Sequence, residues 1–175
     1  ILELVHHEVE ILSRNRKMFI KIEVEEDLPK VDLNWEAIHR MVHNVVLNAI
    51  RFTNDFGTIV IGARRSVFTS EKINNRETLV IYVQDNGIGI PEYQLNNVFR
   101  KFFELNEINS HKMGTVEYKS SGLGLGLAMA KRIVQLHGGF ITIKSKEQEG
   151  TTVFMILPYK DYQQSESDTS PKEVT

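Results

Sequence analysis

The chain has 175 residues, of which 41% are hydrophobic and 25% charged, a composition typical of one soluble globular domain with a sizeable core. With 21 basic and 23 acidic side chains its formal net charge is −2, so neither a nucleic-acid surface nor a polybasic membrane segment is indicated. The absence of cysteine excludes disulfides, thiol nucleophiles and cysteine-ligated zinc, and it fits a reducing, cytoplasmic location.

The first predicted elements are a helix and a strand. Residues 1–16 are predicted to be helical with Leu4, Ile11 and Leu12 on the apolar side, and alternation predicts a strand over residues 18–25. The chain opens on an isoleucine, and no apolar run approaches the ~20 residues of a membrane span. We therefore expect a soluble part of a longer protein, whether or not the parent protein is anchored in a membrane.

The clearest helical pattern comes next. Asn34 is the predicted N-cap, and the apolar period of the helix runs through Ile38, Met41, Val42, Val45, Val46 and Ala49. Asn44, Asn48 and Arg51 fall on a second stripe of the same helix. Asn54, Asp55 and Gly57 are predicted to end it.

Two strands and a short helix are predicted to follow. The pattern indicates strands over residues 58–63 and 78–84, with a surface loop over residues 69–77 between them. Pro91 is predicted to begin a short helix that continues to about Phe99.

A long loop and a glycine-rich helix are predicted in the last third of the chain. Residues 104–121 are polar and without periodicity, which is typical of a lid over a functional site. Residues 122–136 are predicted to be a helix that Gly138 and Gly139 end, with an inward face made of Leu127, Ala130, Ile133 and Val134.

A final strand pair over residues 140–145 and 152–157 completes the prediction. We expect one domain over residues 1–158 and a polar, disordered tail over residues 159–175.

Four motifs are candidates for chemistry. The stripe of Asn44, Asn48 and Arg51 offers amide oxygens to a hard cation such as Mg²⁺ and a guanidinium to phosphate; a solvated helix face is the alternative. The sequence DNGIGI at residues 85–90 places a carboxylate at a strand end before two glycines, where Asp85 can accept a hydrogen bond from an exocyclic amino group. A simple turn is the alternative for that loop.

The other two motifs flank the long loop. Phe99, Phe102 and Phe103 have the spacing of ordinary core aromatics, or of a hinge for a lid. The sequence GLGLGL at residues 122–127 opens a helix, where glycines leave backbone N–H groups open to an anion; close helix–sheet packing is the alternative.

Other nucleotide motifs are missing. The chain contains no Walker loop, no dinucleotide-binding G-x-G-x-x-G after a strand, and neither the H-R-D nor the D-F-G signature of protein kinases. Any ATP would therefore be held differently from those classes.

In this order the four motifs resemble the ATP-binding domain shared by histidine kinases and gyrase. Residues 44–53 look like the N box of that family, residues 85–90 like its G1 box, residues 99–103 like its F box and residues 122–127 like its G2 box. The sequence GTT at residues 150–152, before an apolar strand, also matches. The resemblance implies the Bergerat fold, an α/β sandwich in which three helices cover one face of a mixed sheet.

The resemblance also implies roles in binding ATP and Mg²⁺. Asp85 would bind the adenine amino group, Phe52 would lie against the ring, Asn48 would ligate Mg²⁺ with help from Asn44, and Arg51 would contact phosphate. Backbone amides of the G2 box would meet the phosphates, and Lys112 or Lys119 of the lid would reach them. The full nucleotide site implied comprises Asn44, Asn48, Arg51, Phe52, Asp85, Gly87, Gly89, Ile90, Phe103, Lys119, Gly122, Leu123, Gly124, Leu125, Gly126 and Thr151.

Two features point to the sensor histidine kinases. Hydrolytic relatives carry a glutamate where this chain has Asn44, and an amide cannot act as a general base, so phosphoryl transfer is favoured over attack by water. The F box before a long lid also looks like the kinases, whereas Leu123 departs from the threonine or serine common at its position.

The expected partners are other domains. In histidine kinases the acceptor histidine is on a separate helical dimerisation domain, which we expect on an upstream segment, and a response regulator receives the phosphate next. His7 is followed by an acid but lies too near the chain start to be that acceptor, and His39 and His43 are predicted to be helix-surface residues. A gyrase-type ATPase clamp, a serine kinase of the anti-sigma type and a non-catalytic nucleotide-binding module remain as alternatives.

Overall fold

The computed structural model of the chain describes residues 1–28, 30–68, 76–103 and 124–159. It contains three α-helices: α1 (Leu2–Ser13), α2 (Trp35–Phe52) and α3 (Gly126–Leu136). It also contains five strands: β1 (Phe19–Val24), β2 (Thr58–Phe68), β3 (Arg76–Asp85), β4 (Phe140–Lys146) and β5 (Gly150–Pro158). Two short 3₁₀ turns lie at Arg14–Arg16 and Glu92–Gln94.

The strands form one mixed sheet in the order β1-β2-β3-β5-β4. Strands β1 and β2 are parallel, and α2 provides the crossover that such a pair requires. The other neighbours are antiparallel, and Asp85 at the end of β3 lies opposite Ile59 of β2 and Thr151 of β5. The end of β3 is therefore at the centre of the sheet, with a strand on each side.

All three helices pack on one face of this sheet. Alternate residues of each strand point to them, including Ile59 and Ile61 of β2, Ile81 and Val83 of β3, and Met155 and Leu157 of β5. The predicted stripe of α2 is buried from Ile38 to Ala49, and Ala130, Ile133 and Val134 of α3 complete the core. The predicted arrangement of helices over one face of a mixed sheet is confirmed.

The predicted apolar side of α1 is wrong. The buried residues are Val5 and Val9, whereas Leu4 is 39% exposed and Ile11 is 54% exposed. The Leu12 side chain lies outside the described residues. Two stripes of α1 have helical spacing, one with Leu4 and Ile11 and one with Val5 and Val9. The helix turns the second stripe to the core, and in this orientation Glu8 Oε2 lies 3.1 Å from His39 Nε2 of α2.

The C-terminal end of α2 is held by a neighbouring arginine. The Arg16 guanidinium donates to the backbone oxygens of Ile50 at 2.6 Å and Thr53 at 2.8 Å, and to Asp55 Oδ1 at 2.9 Å. At the other end, Asn34 caps the helix as predicted by accepting from the N–H of Ala37 at 2.8 Å. The helix that carries four candidate site residues, Asn44, Asn48, Arg51 and Phe52, is thus held by hydrogen bonds at both ends.

Two predicted boundaries differ from the structure. The short helix expected over residues 91–99 is only a 3₁₀ turn followed by further turns, because N–H groups bond three residues back, as from Gln94 to Pro91 at 2.9 Å and from Arg100 to Asn97 at 2.8 Å. Asn96 and Asn97 disfavour a helix interior at that point. Strands β2 and β3 extend beyond the apolar alternation because backbone pairing continues to Phe68 opposite Arg76.

The end of α3 follows the prediction, and its start is later than expected. The N–H of Gly139 bonds to Val134 at 2.9 Å and that of Gly138 to Gln135 at 3.0 Å, with Gly138 at φ +72°, which is a Schellman ending. The helix begins at Gly126, and residues 122 and 123 lie outside the described part of the chain. The lid expected over residues 104–121 and the tail from residue 160 also lie outside it.

Candidate functional site

The stripe of Asn44, Asn48 and Arg51 on α2 lies beside the start of α3. A Cβ atom added to Gly126 would lie 3.4 Å from Asn48 Nδ2 and 3.7 Å from the Asn44 backbone oxygen. Asn44 Nδ2 also donates to Met129 Sδ at 3.4 Å. All three stripe residues are partly exposed, so solvent or a ligand can reach them. The N box and the first turn of α3 therefore share one surface.

The loop after β3 is packed against the C-terminal end of α2. The Ile88 N–H donates to the Phe52 backbone oxygen at 3.0 Å, and a Cβ atom on Gly87 would lie only 2.3 Å from that same oxygen. Glycine at 87 is thus required by this close approach of two backbones. The contact brings Asp85 to the end of the helix that carries Phe52.

The other side of the same loop is held by the turn between β4 and β5. Gly89 has φ +68°, and a Cβ atom there would lie 2.0 Å from the Lys146 backbone oxygen. The Gln148 N–H donates to the Ile88 oxygen at 2.8 Å, and the Ile90 N–H donates to Ser145 Oγ at 2.8 Å. Residues 86–90 are therefore clamped between α2 and the β4–β5 hairpin.

Asp85 has an unusual electrostatic setting. Burial raises the pKa of its carboxyl to about 6, while hydrogen bonds from the backbone N–H groups of Gly87, at 2.9 Å, and of Thr151 act in the opposite direction. Burial dominates because removing a carboxylate from water disfavours its charged form. At neutral pH the group is mostly ionised but poorly solvated, which makes it a strong acceptor for a ligand donor.

Arg51 and Phe52 lie together at the last turn of α2. The guanidinium carbon of Arg51 lies 5.5 Å from the centroid of the Phe52 ring, and both side chains are partly exposed. The arrangement places a cation and an aromatic face between the asparagine stripe and Asp85 along the helix.

The F box meets the G2 box beside α3. The Phe102 N–H donates to the Gly124 oxygen at 3.1 Å. Gly124 has φ +61°, and a Cβ atom added to it would lie only 2.7 Å from the Phe103 backbone oxygen. Phe102 is 71% exposed, so the interpretation of all three phenylalanines as core residues is wrong. Residues 103 and 124 are therefore neighbours in space.

The structure thus brings most of the predicted site residues to the C-terminal half of α2 and to the segments that lie beside it. Asn44, Asn48, Arg51 and Phe52 lie on α2; Asp85, Gly87, Gly89 and Ile90 are in the loop beneath its end; Thr151 lies opposite Asp85; Phe103, Gly124, Leu125 and Gly126 lie at the start of α3. Lys112, Lys119, Gly122 and Leu123 lie outside the described residues.

Sequence reasoning missed Ser145. It stands on β4 opposite Thr151, and the two hydroxyl oxygens lie 2.8 Å apart. The only local hint was a small hydroxyl residue in the last strand pair, a pattern that is common in exposed strands.

The histidines of α2 are half-buried, not surface residues as predicted. His39 stacks between Trp35 and His43 with ring centroids 5.3 Å and 5.9 Å away, and Glu8 reaches both histidines. Burial lowers the pKa of His43 despite the attraction of Glu8. Within the described ranges, no three His, Cys, Asp or Glu side chains are grouped to hold a metal ion.

Residues 34–161 match the family model described as histidine kinase-, DNA gyrase B- and HSP90-like ATPase. The chain belongs to this family. Curated relatives include the sensor histidine kinase WalK of Bacillus subtilis (strain 168), 32% identical over 167 residues, with 95% of this chain and 25% of WalK covered. Another is the alginate biosynthesis sensor protein KinB of Pseudomonas aeruginosa, 32% identical over 143 residues, with 82% of this chain and 21% of KinB covered. The chain therefore spans about a quarter of the length of these relatives.

Solved structures of family members share the fold. The catalytic domain of the histidine kinase ThkA superposes with a TM-score of 0.67 at 23% identity, covering 90% of each chain. The mycobacterial sensor histidine kinase MprB gives a TM-score of 0.63 at 22% identity, covering 91% of this chain and 95% of that one. The α/β sandwich expected from the resemblance is confirmed. Of the helices in the described residues, none is long and apolar enough to cross a membrane.

Proposed function

We propose that this chain binds ATP with Mg²⁺ and transfers the γ-phosphate to a histidine on a separate dimerisation domain, in two-component signal transduction. The observation that carries the proposal is the placement of the loop after Asp85 against the end of α2, whose asparagines in turn lie beside Gly126 at the start of α3. Family membership and the sensor kinase relatives support it.

The purine end of ATP is assigned to Asp85. Its carboxylate is buried, and the hydrogen bonds that affect its pKa come from the backbone N–H groups of Gly87 and Thr151. A buried acceptor of this kind favours a neutral, flat donor such as the adenine amino group, which restores a hydrogen bond that water would otherwise supply. Phe52 lies at the neighbouring helix end, where its partly exposed ring can face the base.

The phosphate end is assigned to the surface shared by α2 and α3. Gly124 and Gly126 leave the backbone at the helix start uncovered, and helix N-termini favour anions. Arg51 adds a positive charge on the adjacent face of α2. The proposed ligand therefore runs along α2, with its base near Phe52 and its phosphates near Asn44.

The asparagine stripe fits Mg²⁺. Asn48 and Asn44 supply hard, neutral oxygen donors beside the proposed phosphate position, and such donors leave the ion's remaining positions to phosphate and water. When bound, the ion would neutralise charge that develops on the phosphates. Asn48 is assigned as the ligand, and Asn44 assists it.

Transfer is favoured over hydrolysis because the stripe lacks a base. An amide at position 44 cannot take a proton from water, so the attacking group has to come from elsewhere. A histidine on the dimerisation domain carries its own lone pair and requires only alignment, and the contribution of this chain is positioning and charge neutralisation. A response regulator receiver domain then takes the phosphate.

The test combines the chain with γ-labelled ATP, Mg²⁺ and a histidine-bearing dimerisation-domain fragment. Label on the fragment that is lost in acid but stable in alkali supports the proposal, because phosphohistidine has that stability. Label that is stable in acid and lost in alkali supports a serine kinase of the anti-sigma type instead. Hydrolysis that rises on dimerisation supports the clamp ATPase, and tight binding without transfer supports a non-catalytic module. Asn44→Ala, which removes the amide proposed to assist at the Mg²⁺ position, is expected to lower the label on the fragment.

A further inference from the structure

Ser145 on β4 bonds to three different parts of the purine end of the site. Its Oγ accepts from the Ile90 N–H at 2.8 Å, donates to the Gly150 backbone oxygen at 2.8 Å and lies 2.8 Å from Thr151 Oγ1. Ile90 belongs to the loop after β3, whereas Gly150 and Thr151 begin β5. One hydroxyl therefore ties the loop to the strand next to Asp85.

The donor inventory of a hydroxyl settles who donates to whom. Ser145 has one hydrogen and two lone pairs, and a backbone oxygen can only accept, so the hydrogen goes to Gly150. One lone pair receives the Ile90 N–H, and the second receives the hydroxyl of Thr151. The hydrogen-bonding capacity of Ser145 is thus filled by these three groups.

Thr151 links this network to Asp85. Its backbone N–H bonds to the Asp85 carboxylate, and it lies opposite Asp85 in the sheet. The loop that follows Asp85 is held at its far end by Ser145 through Ile90 and in its middle by Gln148 through Ile88. Removing the Ser145 hydroxyl would free the loop end and the Thr151 side chain together.

We propose that Ser145 is a positioning residue for the purine, which holds the loop of residues 86–90 and Thr151 in the geometry that binds the base. This inference rests on the proposed nucleotide function and adds a residue from the β4–β5 hairpin to it. Ser145 would act through Asp85 and the loop, without touching the ligand. Its effect is on affinity because a loop that is already ordered loses less freedom on binding.

The test is calorimetric titration of the chain with ADP in the absence of metal, so that only the purine end and the diphosphate contribute. Ser145→Ala is expected to weaken ADP binding roughly tenfold, the effect of losing one or two hydrogen bonds of ordinary strength. Ser145→Thr keeps a hydroxyl at the same position and is expected to restore affinity to within about twofold of the wild type.

Thr78→Ala is the matched control. Thr78 is a buried hydroxyl residue at the opposite end of β3, where it donates to the Ser66 oxygen at 2.8 Å. Its loss weakens the same sheet without touching the loop. Thermal unfolding of all variants shows whether the two alanine variants lose similar stability.

The inference is supported if Ser145→Ala binds ADP more weakly than Thr78→Ala does at similar stability. Equal affinities of these two variants would overturn it. If Ser145→Ala does not fold, Thr151→Val replaces it; that variant removes the hydroxyl donated to Ser145 but keeps the backbone N–H on Asp85, and unchanged affinity would likewise overturn the inference. A wild-type chain that does not bind ADP at all would instead overturn the proposed function, and the role of Ser145 with it.

Discussion

Replacing Asp85 by asparagine is expected to stabilise the unliganded protein at neutral pH while weakening its affinity for ADP. The carboxyl is buried, and its pKa rises from the ordinary value of 3.8 to about 6 because burial disfavours the charged form. The folded protein therefore holds a proton more tightly than the unfolded chain does. Ionised Asp85 destabilises the fold, and an uncharged amide of the same shape does not carry that penalty.

The size of the effect follows from the two pKa values. The contribution of Asp85 to the free energy of unfolding is most favourable below pH 3.8. It declines as the pH rises from there to about 6 and is constant above that pH. At about 1.4 kcal/mol for each pH unit, this window is equivalent to roughly 3 kcal/mol of unfolding free energy. An asparagine retains one acceptor for the two backbone N–H groups, so a lost hydrogen bond of about 1 kcal/mol opposes the gain at every pH.

The measurement is urea unfolding of both proteins at several pH values between 4 and 8, at constant ionic strength and followed by far-ultraviolet circular dichroism. The stability of Asp85→Asn relative to the wild type should fall by roughly 2.5 kcal/mol from pH 8 to pH 4, since all other groups titrate alike in the two proteins and the last part of the window lies below pH 4. Asp32→Asn, which changes an exposed carboxyl, controls for the loss of one negative charge. Parallel stability curves for Asp85→Asn and the wild type would refute the reasoning.

The second half of the same prediction concerns the ligand. A hydrogen bond to a charged acceptor is worth about 1.5–3 kcal/mol, so Asp85→Asn should bind ADP roughly 10- to 100-fold more weakly at pH 8. Calorimetric titration at that pH measures it. A variant that is both more stable and equally able to bind ADP would show that the buried charge serves another purpose.

Three further substitutions test other parts of the site and its frame. Asn48→Ala should lower ATP affinity roughly tenfold in Mg²⁺ but less than about twofold in chelator, and equal losses in both titrations would remove Asn48 from the proposed metal position. Gly124→Ala should cost about 1–3 kcal/mol of stability, because its φ is +61° and the new methyl would lie 2.7 Å from the Phe103 oxygen, whereas Gly126→Ala, with its nearest contact at 3.4 Å, should not destabilise; similar melting temperatures for the two variants would contradict this. Arg16→Ala should lower the stability by about 2–3 kcal/mol because it uncovers the last carbonyls of α2, and Arg16→Lys, which keeps the charge without the fork, should recover little of it in the same denaturant titration.

Several features of the fold could be predicted because their causes are local. The apolar period of α2 needs only residues within a few turns, and the buried side chains from Ile38 to Ala49 follow it. Asn34 caps that helix, and Gly138 ends α3, through hydrogen bonds that span only a few residues. The order of the four motifs was likewise visible, since each motif is a short run.

Local patterns were insufficient where two equivalent choices existed or where helix propensity was weak. The spacing of α1 permits two apolar stripes, and contact with α2 selects Val5 and Val9 over Leu4 and Ile11. The 3₁₀ turn after Pro91 does not continue as an α-helix, because its N–H groups bond three residues back. The apolar periodicity up to Phe99 does not distinguish these two hydrogen-bonding patterns.

By itself, then, the sequence determined which residues form α2, where its N-cap lies and which motifs are candidates for nucleotide binding. Only the tertiary structure decided that Ser145 joins them and that the Asp85 carboxyl is buried enough to raise its pKa. Ser145 meets Ile90 across 55 residues of sequence, and Thr151 meets Asp85 only because β3 and β5 pair. Contacts of that range depend on how the strands are ordered in the sheet, which periodicity along one segment does not encode.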